Sequence, residues 1–201
     1  MMLMKISQTI ALAFVVACAS AVAPRAQASP DVRVFQNPDE SAITEGETML
    51  AIDPDTAYRA VTDYARWAIM FPDVRRVVVT SQSGGHDRVT FIHPDGNRDN
   101  VHFHNRPAAR VVWFEDTGGR AEVWVEISFL PGGQPGTTRV HSRLYADVHG
   151  WASLFVSDDK IRSMREQRVR GDLSQLRAYF ARDITTQPPA SDRVPVSPAS
   201  M

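Results

Sequence analysis

Histidine, not cysteine, sets the first limit on the chemistry available to this chain. His102 and His104 stand two residues apart, so on a strand they share a face, and His93 lies just before them across a turn. Three imidazoles around one hairpin could hold zinc with an open coordination position. Register decides whether they meet. Pairing His93 with His102 splits the neighbouring apolar residues between both faces of the hairpin. A shift of one residue puts Val89, Phe91, Val101 and Phe103 on a single apolar face and separates His93 from the other two. The second register buries more, so the reading is surface histidines, no metal and no cofactor.

A second candidate set is acid–base. Glu122, Trp124, Glu126 and Ser128 alternate with Val123, Val125, Ile127 and Phe129, while His141, Arg143, Tyr145 and Asp147 alternate with Val140, Ser142, Leu144 and Ala146. If the polar faces look inward, Arg106, Glu126, Arg143 or Tyr145 could do proton-transfer work on a bound substrate. If the aliphatic faces look inward, the same charges pair across strands at the surface, which is the preferred reading. The third set is basic: Lys160, Arg162, Arg165, Arg168 and Arg170 with Glu166 as the one acid in that span. Such a run could hold an anionic head group or lie on an acidic membrane, and the simpler reading is a solvated helix face. The sequence has no G-x-S-x-G, H-E-x-x-H, Walker-A or G-x-G-x-x-G motif.

The ends of the chain belong outside the fold. Lys5 precedes an apolar run over Ile10–Ala23, Pro24 breaks it, and Ala26-Gln27-Ala28 is a small–x–small site before Ser29. Residues 1–28 therefore read as a secretory signal peptide, too short and small-sided to span a bilayer, and imply a periplasmic or secreted protein. The alternative is a lipoprotein anchored at Cys18 in Val15-Val16-Ala17-Cys18. Cys18 is the only cysteine, so a mature chain starting at Ser29 has none, which excludes thiol catalysis and cysteine metal sites. That mature chain carries 20 basic and 23 acidic residues, a formal charge of −3, with no general pull toward nucleic acid. Residues 183–201 are rich in proline and small polar side chains and read as a disordered tail. One domain over 32–182 remains.

The elements that must position these residues follow from caps and periodicity. Ile43–Ile52 reads as a strand, after an extended lead-in around Val32–Phe35. Asp53 caps a helix with Pro54 at its first position and Ala57, Tyr58 and Val61 on one face. Asp63 is placed to cap a second turn that carries Trp67, Ile69 and Phe71 and ends at Pro72. Six strands follow, separated by turn residues: Val74–Ser81, Arg88–His93, Asn100–Asn105, Ala109–Glu115, Ala121–Leu130 and Thr138–Val148. Trp151, Leu154, Phe155 and Val156 then form an apolar link that is either a lid or core. Ser157–Ala181 reads as a long helix with Ile161, Met164, Val169, Leu173, Leu176 and Phe180 buried and Gly171 at a kink or close contact.

The run Thr62–Pro72, T-D-Y-x-x-W-x-x-x-F-P, the closing Asp172-Leu173-x-x-Leu176 and the order β-α-α-β6-α resemble the START-like, or Bet v 1-like, superfamily, which includes bacterial polyketide cyclase/dehydrase and lipid-transport proteins. The resemblance implies an α+β helix-grip fold, a seven-stranded antiparallel sheet wrapped around the long C-terminal helix. It also implies a cavity between them for a hydrophobic small molecule or lipid. The implied wall is Phe91, Phe103, Val125, Ile127, Phe129, Leu144, Met164 and Leu176, with Trp67 and Phe71 near the mouth. Three functions stay open: a binder or carrier with transient membrane contact, a cyclase or aromatase on the same fold, and an interaction module for another envelope protein.

Overall fold

The computed structural model describes residues 31–116, 121–148 and 157–186. The signal-peptide and lipoprotein expectations, the Gly118–Gly119 turn, the apolar link at Trp151–Val156 and the tail beyond residue 186 lie outside the described residues.

Eight strands build one antiparallel sheet. They are β1 (Arg33–Gln36), β2 (Ile43–Leu50), β3 (Arg76–Ser83), β4 (His86–Ile92), β5 (Arg98–Arg106), β6 (Val111–Asp116), β7 (Ala121–Pro131) and β8 (Thr138–Val148). Their spatial order is β1-β2-β8-β7-β6-β5-β4-β3. The seven strands expected become eight because the extended lead-in pairs with β2, Arg33 opposite Glu47 and Gln36 opposite Thr44.

Between β2 and β3 the chain forms α1 (Pro54–Thr62), a 3-10 turn (Tyr64–Arg66) and α2 (Trp67–Met70). The Asp53 side chain accepts from Thr56 N at 2.9 Å, and Ala57, Tyr58, Ala60 and Val61 are buried, as the capping signal predicts. The second cap does not form. Asp63 pairs with the Arg66 side chain three residues on at 3.0 Å instead of satisfying the turn's amides. The 3-10 turn also rotates the face: Tyr64, Trp67, Met70 and Phe71 are buried and Ile69 is exposed, contrary to the expected Trp67–Ile69–Phe71 stripe.

The last element, α3 (Asp158–Thr186), runs beyond Ala181 into residues assigned to the tail. It buries Val169, Leu173, Leu176, Tyr179 and Phe180 on the sheet. The close contact is at Gly46 in β2, not at Gly171. A Cβ on Gly46 would sit 2.4 Å from Val169 Cγ1 and 2.8 Å from Leu173 Cδ1, whereas one on Gly171 meets nothing within 4 Å. Glycine at position 46 lets the helix lie against the strand.

The inner face of the sheet is the aliphatic one. Val125 pairs with Leu144, Ile127 with Ser142 and Phe129 with Val140, and all six are buried. On the outer face Arg143 lies 3.9 Å from Glu126 and 2.8 Å from Glu40, Tyr145 stacks on Trp124, and His141 meets Glu45 at 2.8 Å. The alternation of β7 and β8 is therefore read correctly, with the charges paired across strands.

Candidate functional site

The β4–β5 hairpin sets the site. Val89 pairs with Val101 and Phe91 with Asp99, so Val89, Phe91, Val101 and Phe103 share the inner face. Gly96, at φ +88°, allows the turn that returns the His93 amide to Asn97 O at 2.9 Å. This register leaves His102 and His104 on the outer face beside Glu115 and turns His93 inward beside Asp99. The separation of the three histidines follows the expected face parity, although the strands pair several residues away from the expected register, Ile92 opposite Arg98, and His93 is not a surface residue. Among the described residues no group of three or more His, Cys, Asp or Glu is placed to hold a metal ion.

A cleft opens between the inner sheet face, α2 and α3. Its apolar wall is made by Trp67, Phe71, Val74, Phe91, Val101, Phe114, Val123, Val125, Ile127 and Leu144. Trp67 organises the aromatic part: it stacks on Phe91 with 5.0 Å between centroids, tilts against Phe71 at 4.9 Å and meets Phe114 edge-on at 5.7 Å. Its indole N–H donates to Val61 O at 2.7 Å, which fixes the ring. The space open to the centre of a water molecule is ≈ 60 Å³, and all the space between its atoms, open solvent included, is ≈ 730 Å³. The smaller figure is room for roughly four to six waters.

Among the described residues, the polar side of the cleft combines six ionisable ones: Asp73, His93, Asp99, Asp116, Arg168 and Asp172. His93 Nδ1 lies 2.6 Å from Asp73 O and Nε2 lies 2.5 Å from Asp99 Oδ2. Carbonyl and carboxylate oxygens only accept, so both ring nitrogens donate and His93 is an imidazolium. Its pKa is accordingly raised, first by the Asp99 hydrogen bond. Arg168 Nη1 donates to Asp73 Oδ2 at 2.8 Å and its Nε to Asp172 Oδ2 at 2.9 Å. Burial against the apolar wall pushes the Asp172 carboxyl up to about 6 although Arg168 opposes the shift.

Six expected wall residues are here: Trp67, Phe71, Phe91, Val125, Ile127 and Leu144. Phe103, Phe129, Leu176 and Met164 do not line this cleft. The first three are packed into the core at 0%, 0% and 2% exposure, and Met164 sits half-buried on α3. The acid–base candidates Glu126, Arg143 and Tyr145 are on the outer sheet face, and Arg106 is exposed at the end of β5. The basic run of α3 is also not one solvated face. Arg165 is buried and donates to Ser41 O, Ala146 O and Thr44 Oγ1, Arg168 enters the cleft, and Arg162 meets Asp159 at 3.3 Å.

Reading by sequence alone missed the cleft's acids because they come from separated segments. One signal was available: Asp99 has the parity of Val101 and Phe103, an acid on the apolar face of a strand.

A sequence profile for proteins described as "Polyketide cyclase / dehydrase and lipid transport" matches residues 41–181. Comparison with curated proteins finds no significant match. Among solved structures, the ZhuI aromatase/cyclase from Streptomyces sp. R1128 superposes with TM-score 0.57 and 16% identity, over 76% of this chain and 96% of that one. A STAR-related lipid transfer protein fragment from Xanthomonas axonopodis gives 0.57 and 13%, over 76% and 95%. A START superfamily protein from Mycobacterium smegmatis gives 0.57 and 13%, over 70% and 97%. At these identities the structural likeness shows the fold alone.

Proposed function

Since the chain belongs to the polyketide cyclase/dehydrase and lipid transport family, we propose that it binds and carries a hydrophobic small molecule in the cleft between the sheet and α3. The observation that carries this reading is the aromatic and aliphatic wall around Trp67, which leaves apolar surface facing open space inside the fold. Apolar walls with a few convergent polar groups are the usual form of a small-molecule site. The apolar run and small–x–small site near the start of the chain support action outside the cytoplasm, in the periplasm or beyond. Mass spectrometry of an organic extract from protein purified out of its native source tests the reading. It should recover one enriched apolar compound at close to one per chain, whereas a bare protein or the general lipid composition of the cell counts against it.

A second reading, catalysis of cyclisation or dehydration, draws on the ionisable groups in the same cleft. His93 as an imidazolium could donate a proton, and Asp172, near half-ionised at mildly acid pH, could accept one. Turnover of a poly-β-ketone, read as loss of water, would support it. Tight binding with unchanged ligand mass would favour the carrier.

A further inference from the structure

The ring nitrogens, the indole N–H and two guanidinium nitrogens of the cleft are turned toward oxygens of the protein itself, while a buried aspartate oxygen is left over. Both His93 ring nitrogens are engaged by Asp73 O and Asp99. Arg168 spends Nε and Nη1 on Asp172 and Asp73, and Trp67 spends its indole N–H on Val61 O. Asp73 Oδ1 is buried without a hydrogen-bond partner, and the hydrogen bonds of Asp99 and Asp172 use Oδ2 in each case. The charge sign agrees among the described residues: Asp73, Asp99 and Asp172 face Arg168 and the His93 imidazolium, a balance of −1 when all are ionised. A carboxylate or phosphate brought here would add an anion beside aspartates, against an apolar wall where screening is weak.

We infer that the cleft selects ligands whose apolar body ends in a protonated amine, and disfavours their carboxylate-ended counterparts. The inference rests on the carrier reading above and specifies the ligand's polar end. The amine would donate to Asp73 Oδ1 and to the carboxylates of Asp99 and Asp172 while a ring lies against Trp67 and Phe91. An organic cation fits better than a metal ion, because among the described residues no set of ligands is spaced for a metal. The basic run of α3 does not reverse the sign, since Arg165 is buried under the helix on backbone and threonine oxygens and only Arg168 reaches the cleft.

The test is calorimetric titration of the full chain at pH 7 with three probes of one shape: 2-naphthylmethylamine, 2-naphthalenemethanol and 2-naphthoate. The amine should bind about tenfold or more tighter than the acid, with the alcohol between them. The ratio should collapse toward one in Asp99→Asn with Asp172→Asn. Should that variant fold poorly, the ratio in the wild-type chain serves instead and should narrow on going from pH 8 to pH 5. An acid that binds as tightly as the amine, or a ratio indifferent to both aspartates and to pH, overturns the inference while leaving the carrier reading intact. No binding by any of the three overturns both.

Discussion

Arg168 on α3 meets the carboxylate of Asp73, 95 positions earlier in the chain, at 2.8 Å. The same guanidinium holds Asp172 one helical turn away through Nε at 2.9 Å. One planar cation thus ties the long helix to the segment that follows α2, beside the aromatic wall of the cleft.

Removing that tie should cost stability in a graded way. Arg168→Ala leaves two carboxylates without their cation at a partly buried site and should destabilise by about 1–3 kcal/mol in urea unfolding. Arg168→Lys should fall between, because a point charge on a flexible stem cannot serve two carboxylates with the fixed geometry of guanidinium. Equal stability in all three proteins would mean that the contact has no energetic role.

The pH dependence has a defined sign. Asp172 moves from the ordinary 3.8 to about 6 on folding, so its contribution is fully present below 3.8 and is lost as pH rises through 6. The gap corresponds to about 3 kcal/mol at most. His93 moves upward from 6.5, so its contribution is full below 6.5 and is lost as pH rises through the elevated value. Both slopes run the same way. Thermal stability should fall between pH 5 and pH 8, with Asp172→Asn flattening the lower part of the decline and His93→Gln the upper part. A rise in stability over that range would contradict the assignment.

Two glycines should respond in opposite directions. Gly46→Val drives side-chain atoms into Val169 and Leu173 and should destabilise by about 1–3 kcal/mol. Gly171→Ala meets open space inside a helix and should stabilise by about 0.5–1 kcal/mol. Urea midpoints for the pair separate a helix seated on β2 from one held mainly by its own propensity.

What could be read from the residues was whatever local chemistry or strand parity specifies. Asp53 and Pro54 announce α1, and the alternation in Ala121–Leu130 and Thr138–Val148 assigns the buried face of two central strands before any pairing is known. The burial argument also separates His93 from His102 and His104. The cleft's polar residues escaped because no local rule links them. His93 and Asp99 face each other only once the Pro94–Asn97 turn closes with Gly96 at positive φ, and Asp73 and Arg168 meet only when α3 folds back across the sheet. The basic run on α3 misled for the same reason. Its charges look alike in sequence, and packing sends Arg165 under the helix, Arg168 into the cleft and Arg170 to solvent.

The most direct measurement is titration of the protein with N-phenyl-1-naphthylamine, a neutral apolar fluorophore, against variants that fill the cleft. Leu144 and Val125 face each other across β7 and β8 on its wall, so Leu144→Trp, or the milder Val125→Phe, occupies the space a ligand needs. Saturable one-to-one binding with fluorescence enhancement is expected in the wild-type chain, and about tenfold or greater loss of affinity in a filled variant that still melts cooperatively. Equal binding by filled and open proteins would contradict it, because the ligand would then sit somewhere other than this cleft.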